Sequence, residues 1–340
     1  MNVEGKVLIV GQAGQYNLEA FVSNAFSQIG WRVSRFNIYE EILPVRELQS
    51  YLRFVVTRSF RSHKAVDFLS RINERIYSRI QRQKPDLLLV FKGELFPPKM
   101  ATRISRDLGV RTALWFPDDP RFVNSLLSKI ASSFELVISS AKSSIQALQE
   151  LGVREILHLP FACDPSFHRS LERAKTFDVT FVGSYYPERC RVLSKLTSFN
   201  LRIWGPRWNL PWIPRELRKC VMKTDSFGEN LIEILNRSKI TINIHHASDL
   251  GVIGKTNMRV FETSGCGAFQ LSDQPEGLRE SFLPHREIVC YQSPEELAPM
   301  VDRFLKSEEE RISIAGAAQK RAYSDHTYEN RVKTVVERMT

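Results

Sequence analysis

The sequence predicts an α/β protein of two Rossmann-like domains facing across a cleft, followed by a helical C-terminal segment. Three observations carry this reading. Short apolar runs alternate with helix-length segments, the alternation breaks over residues 161–176 and then restarts, and everything after Pro294 has a helical pattern. At 340 residues a single core becomes unwieldy, so two domains also suit the length.

Val7, Leu8, Ile9 and Val10 form the continuous apolar run of a parallel strand buried on both faces. Gly11 and Gly14 turn the chain into a helix marked by Phe21, Val22 and Phe26, and Gly30 stops it. Residues 31–38 give a second strand, and residues 86–91, 112–116 and 136–138 give three more. Residues 161–176 lack strong periodicity and read as a linker. The same grammar then restarts with a strand over 177–182 ending in Gly183, and another over 201–204 ending in Gly205. Residues 240–245, 268–271 and 288–291 supply the remaining strands. The expected boundaries are therefore 1–160 for the first domain, 161–176 for the linker and 177–325 for the second domain. Residues 326–340 form a last helix, free to cross back to the first domain.

Hydrophobic residues are 43% of the chain and charged residues 25%, which excludes a disordered or collagen-like protein. The net charge of +10 favours anionic partners without choosing among phosphorylated ligands, nucleic acid and acidic membranes. No run approaches the ~20 apolar residues that span a bilayer, and the N-terminus lacks a signal-peptide pattern. The five cysteines are widely spread and form no C-x-x-C pair, so neither a disulfide framework nor a structural zinc site is expected. A cytoplasmic protein is the expectation.

Ligands of doubly wound sheets bind beyond the carboxyl ends of the strands. At one such end Gly183 and Ser184 precede a helix opened by Pro187, with Arg189 one turn in. Free backbone N–H groups and a guanidinium there suit a phosphate, although an ordinary strand-to-helix turn has the same sequence. At another, Asn257 caps a short helix on which Arg259 and Glu262 lie three apart on one face. The carboxylate can accept from two ribose hydroxyls while the guanidinium pairs with a diphosphate. A plain i,i+3 salt bridge is the other reading.

These stretches together resemble a known family. They are VGSYYPER at 182–189, Trp204, Gly205 and Trp208, INIHH at 242–246, NMRVFETSGCGAFQLSD at 257–273 and HTYENR at 326–331. With VFKGELFPP at 90–98, LWFPDDP at 114–120 and LPFACDP at 159–165, their order is similar to that of the CgeB-like glycosyltransferases. That family has the two-domain GT-B fold and is related to the family 4 nucleotide-sugar transferases. The resemblance implies an N-terminal domain that binds the acceptor and a C-terminal domain that binds a nucleotide diphosphate sugar, a UDP-sugar first. It implies that Gly183, Ser184 and Arg189 contact the diphosphate, supported by Arg259, that Glu262 holds the ribose, and that Asn257 and Gly267 complete the donor site. Many family 4 enzymes carry a second glutamate eight positions before this one. Here that position is Gly254, so neither its donor-sugar contact nor a retaining mechanism carries over.

Other residues have competing explanations. Asp118 and Asp119 resemble a metal-binding carboxylate pair, but GT-B enzymes generally stabilise the leaving diphosphate with arginines and helix ends, so no metal and no cofactor is expected. The two aspartates are candidate acceptor bases, with turn chemistry before Pro120 as the alternative. His245 is a donor-sugar candidate or a packed histidine, and it points away from His246. Lys92, Gly11 and Gly14 line the expected acceptor side. Gly11 and Gly14 also resemble a dinucleotide fingerprint with its third glycine missing, and Glu40 and Glu41 follow the second strand as ribose ligands would.

Residues 51–84 carry nine basic residues against Asp67 and Glu74, with Leu69, Ile72, Ile76 and Ile80 at helical spacing. This is a solvated helix face, or a platform for an anionic acceptor or a membrane surface. The acceptor can be a glycan, a lipid or a protein, and no nucleic acid is expected as a partner. Two alternatives to sugar transfer stay open at this point, an NAD-dependent oxidoreductase and a non-catalytic basic module that binds RNA or membrane.

Overall fold

A computed structural model describes residues 4–38, 63–93, 96–118, 120, 123–245, 255–275 and 277–339. The chain divides into two compact units. One comprises Met1–Pro160 with Arg331–Thr340, the other Phe161–Asn330.

In the first unit, β1 (Lys6–Gly11), β2 (Arg32–Asn37), β3 (Leu87–Phe91), β4 (Arg111–Phe116), β5 (Leu136–Ser139) and β6 (Ile156–His158) form a parallel sheet ordered β2-β1-β3-β4-β5-β6. Helices α1 (Leu18–Gln28), α2 (His63–Gln83), α3 (Met100–Leu108) and α4 (Ile145–Glu150) alternate with these strands. All five residues of β3 are buried, as a strand covered on both faces requires. Helix α1 begins where the Asn17 side chain accepts from Ala20 N at 3.0 Å, and it buries Phe21, Val22 and Phe26. Gly30, at φ +89°, lets the chain turn back into β2. In the basic segment, residues 51–62, with Arg53, Arg58 and Arg61, lie outside the described residues. On α2, Ile76 and Ile80 are fully buried, so the apolar stripe there serves the core.

In the second unit, β7 (Phe177–Val182), β8 (Leu201–Trp204), β9 (Ser238–Asn243), β10 (Gln270–Ser272) and β11 (Val289–Cys290) are parallel and ordered β11-β10-β9-β7-β8. Between and after them run α5 (Pro187–Ser194), α6 (Arg215–Lys219), α7 (Glu229–Asn236), α8 (Met258–Gly265), α9 (Leu278–Ser281), α10 (Pro294–Lys306), α11 (Glu308–Asp325) and α12 (Tyr328–Met339). The helical C-terminal segment is present, and the final residues of α12 group with the first unit, where Arg331 Nε donates to Pro160 O at 2.9 Å. No helix among the described residues is long and apolar enough to cross a membrane.

The two sheets share one device. In each, the first strand is flanked by the second on one side and the third on the other, so the connections leave in opposite directions. A crevice opens at the carboxyl ends of β1 and β3, and likewise of β7 and β9. On the other side of β7, at the carboxyl ends of β7 and β8, the two following loops meet without a side chain between them. Gly205 has φ +133°, and a Cβ on it would lie 2.1 Å from Gly183 O. That carbonyl already accepts from Trp208 Nε1 at 2.7 Å, and Gly183 N donates to Trp204 O at 2.9 Å. Gly205→Ala therefore adds left-handed strain to a backbone collision, and should cost on the order of 3 kcal/mol of stability in urea titrations.

Candidate functional site

The switch point of the second unit is closed by one arginine. Arg189, one turn into α5, donates from Nε and Nη2 to Ile244 O at 3.0 and 2.9 Å, and from Nη1 to Ser184 O at 2.9 Å. It thus ties the end of β7 to the end of β9. Its plane lies 5.1 Å from the Tyr186 ring, and burial lowers its pKa while leaving it a cation. By donor count each terminal nitrogen keeps one further hydrogen. Arg189 is first a clamp on two backbone carbonyls, and only its outer edge is left to meet an anion.

Helix α8 carries the second group. The Asn257 side chain caps it, accepting from Val260 N at 3.2 Å, and its Nδ2 donates to Asn243 Oδ1 at 3.1 Å. That tie fixes the helix start against the end of β9. Glu262 is 6% exposed, and its Oε2 accepts from Arg259 Nη1 at 2.6 Å. Its Oε1 faces His168 Nε2 at 3.7 Å, a distance that makes the contact electrostatic instead of a full hydrogen bond. His168 is fully buried, and its Nδ1 accepts from Asp164 N at 2.9 Å. In the neutral ring the proton therefore sits on Nε2, toward Glu262. Burial alone would raise the pKa of Glu262, but Arg259 and His168 outweigh it and lower it from 4.5 to about 2. The result is a buried carboxylate that is ionised at neutral pH and aimed by two partners.

A third group joins the ends of β9 and β10. Asp273 accepts from the His245 backbone N–H at 2.8 Å and from the His245 ring through Nδ1. The ring is 2% exposed, and its Nε2 is buried with no hydrogen-bond partner among the described residues. Asn243 donates to Ser272 Oγ at 3.2 Å, so a polar chain runs from the cap of α8 through Asn243 and Ser272 to this pair. Burial raises the Tyr291 phenol well above its ordinary value, leaving it a neutral donor to Asn243 O at 3.3 Å.

Gly183, Ser184, Arg189, His245, Asn257, Arg259 and Glu262 thus all belong to the second unit, at strand ends or on the short helix that follows. Gly267 stands apart. It follows the far end of α8, about 12 Å from the cap for an eight-residue helix. Its φ is +60°, and a Cβ there would meet Ser170 Oγ at 2.6 Å, so it is a packing position against the segment read as a linker. That segment supplies His168, a neighbour of Glu262 that no local spacing announces. In the first unit Lys92 Nζ lies 3.4 Å from Asp118 Oδ1, and the backbone carbonyl of Gly14 accepts from Arg35. Gly11 lies against Glu19, a buried carboxyl that the sequence reading did not single out. Asp119, His246, Gly254, Glu40 and Glu41 lie outside the described residues.

The ion pairs around Glu262 fix a pH dependence. A carboxylate whose folded pKa lies below its unfolded value adds stability above the unfolded value and loses it as pH falls through the folded one. For Glu262 the window runs from about 4.5 down to about 2, with a contribution on the order of 3 kcal/mol. Glu262→Gln should be less stable than the unaltered protein by about that amount at neutral pH. In urea titrations the gap should close across this window.

A model of the glycosyl transferase-like family matches residues 166–337, a span that includes His168, Arg189, His245, Arg259 and Glu262. The spore protein CgeB of Bacillus subtilis (strain 168) is 23% identical over 271 residues, covering 74% of this chain and 82% of that protein. Among solved structures, Anabaena HepE in complex with UDP and glucose aligns over 99% of both chains at 11% identity, with a TM-score of 0.64. The sucrose-phosphate synthase of Thermosynechococcus elongatus aligns over 98% of both chains at 9% identity, with a TM-score of 0.66. These two likenesses are of fold. With just over half its length matched by the family model and the GT-B architecture in both units, the chain belongs to the glycosyl transferase-like family and is a CgeB-like glycosyltransferase.

Proposed function

We propose that this glycosyltransferase takes its sugar from a nucleotide diphosphate sugar, a UDP-sugar first, and passes it to an acceptor hydroxyl without a metal ion. The observation that carries the reading is Glu262, a buried carboxylate kept ionised by Arg259 and His168 at the carboxyl edge of the second sheet. Such a group suits two neighbouring ribose hydroxyls, each able to donate to one of its oxygens. Arg259, 21% exposed at its side chain, retains hydrogens for a diphosphate, as does the outer edge of Arg189. Gly183 and Ser184 let the phosphates approach the backbone at the start of α5, and Asn257 holds the start of α8 in place. His245, held by Asp273 with its buried Nε2 unpartnered among the described residues, is the donor-sugar candidate. Gly11, Gly14 and Lys92 form the acceptor side, where Asp118 is the candidate base.

In this reading catalysis rests on positioning and on cationic stabilisation of the departing diphosphate. Arginines and helix starts supply the charge that a metal supplies in other transferases, which supports metal independence. The solved complexes of HepE with UDP and with UDP-glucose make a UDP-sugar the first donor to try. Membership of the family sets aside the oxidoreductase and the non-catalytic module.

In a thermal-shift panel of UDP-, GDP-, dTDP- and ADP-sugars, the UDP-sugar should raise the melting temperature. Arg259→Ala and Glu262→Ala should each remove that shift and lower transfer by about 100-fold or more while the circular dichroism stays native. Chelation with EDTA should leave transfer unchanged. Normal donor turnover in both variants would sink the site assignment. His168→Asn keeps an acceptor for the Asp164 N–H but is too short to reach Glu262. It should raise the donor KM about ten-fold with kcat little altered, and lower stability by part of the amount assigned to the Glu262 pairing while circular dichroism stays native.

A further inference from the structure

The first unit has a switch point of its own, and a pocket lies on it. Val10, Gly11 and Gln12 at the end of β1, and Val90, Phe91, Lys92 and Gly93 at the end of β3, line this pocket together with Glu19. The space it encloses matches one water molecule or one hydroxyl group. We propose that this pocket seats a hydroxyl of the acceptor, that Glu19 accepts its hydrogen bond, and that the acceptor taken here is a neutral, sugar-like molecule and not an anion. The inference rests on the sugar-transfer reading and names the acceptor class for it.

Glu19 is an unusual residue to find there. It stands in the first turn of α1 between Leu18 and Ala20, and it is 7% exposed. The Gln12 backbone N–H reaches its Oε1 only at 3.3 Å, a weak bond for a carboxylate with four acceptor sites. Gly11 makes the position available, because a Cβ on residue 11 would fall 3.0 Å from Glu19 Cγ and 3.2 Å from Oε1. A glycine at the end of β1 thus lets a carboxyl lie flat against the strand and face the pocket.

The surrounding charges select against an anion. Among the described residues two cations act on Glu19, and both are engaged. Lys92 pairs with Asp118, and Arg35 donates to the backbone carbonyls of Gln12 and Gly14. Burial raises the carboxyl's pKa, with its own backbone N–H, the Gln12 N–H, Lys92 and Arg35 opposing it. In either protonation state a carboxyl oxygen remains to accept from a hydroxyl, whereas an entering phosphate or carboxylate meets Glu19 with no unengaged cation among the described residues to offset it. Ile38, Phe91 and Phe96 give the pocket apolar walls, which leave the polar side to Glu19, Lys92 and the backbone.

The test is saturation-transfer NMR on the whole protein without donor, using methyl glucoside, maltose and glucose 6-phosphate as probes. One or both neutral sugars should give transfer that weakens about ten-fold in Glu19→Gln, and glucose 6-phosphate should not displace them. Glu19→Gln keeps an oxygen for the Gln12 N–H. Its donor-induced thermal shift should equal that of the unaltered protein, which separates loss of the pocket from loss of the fold. Gly11→Ala, which crowds the same carboxyl, should repeat the effect. Neutral sugars that bind Glu19→Gln undiminished, preference for the phosphate, or no binding of any probe overturns the inference. Glu19-dependent sugar binding with no response to any nucleotide sugar would leave the inference standing and defeat the donor reading instead.

Discussion

A charge carried to the carboxyl edge of a buried parallel sheet must be paired, hydrogen-bonded or neutralised, because little water is there to solvate it. Each unit meets this demand at its switch point, and the two carboxylates concerned are treated in opposite ways. Glu262 has Arg259 on one oxygen and His168 beside the other, so the attraction exceeds the cost of burial and the ionised form is favoured. Glu19 has two backbone amides, its own and the long one from Gln12, and two cations already engaged elsewhere, so burial prevails and the proton is held more tightly. The first arrangement gives a fixed anion for hydroxyls to donate to. The second gives a group whose hydrogen bonding is incomplete until something enters the pocket.

The backbone around these groups is built to let them approach. Gly183 and Gly205 bring two loops together at a distance no side chain permits, and the carbonyl so exposed is taken by Trp208. Arg189 then uses three bonds to join the ends of β7 and β9, which leaves its remaining hydrogens on the outer edge. A residue read from sequence as a ligand for phosphate is thus also the brace that holds the phosphate loop. The two roles are compatible only because a guanidinium has five donors in a fixed plane.

The strands were legible because parallel strands covered on both faces are written as unbroken apolar runs, as in residues 7–10 and 87–91. β6 was not, since Ile156, Leu157 and His158 make a three-residue edge strand paired with β5 alone. Asn257 was legible as a cap because capping is local. His168 and Glu262 are 94 positions apart, and only the folding of a proline-bounded segment under α8 brings them together. Gly267 belongs to one contiguous motif with Asn257 and Glu262, yet helix α8 separates the two ends of that motif in space. Glu19 left no trace in the periodicity, since one acidic residue in an apolar first turn looks like an ordinary dipole-favoured position.

The pattern of Arg259 and Glu262 shows where sequence reasoning stops. Three residues apart on a helix, they fit a surface salt bridge and a ligand site equally well, and each reading needs the same pair of side chains. Burial separates them. An exposed pair contributes little and has no reason to be held, whereas a carboxylate at 6% exposure must be compensated, and a second neighbour from a distant segment supplies part of that compensation. The net charge of +10 fails in the same way, because a surplus summed over the whole chain says nothing about whether the cations at a given pocket are already engaged. At Glu19 those among the described residues are, so a basic protein there presents a site suited to a neutral hydroxyl.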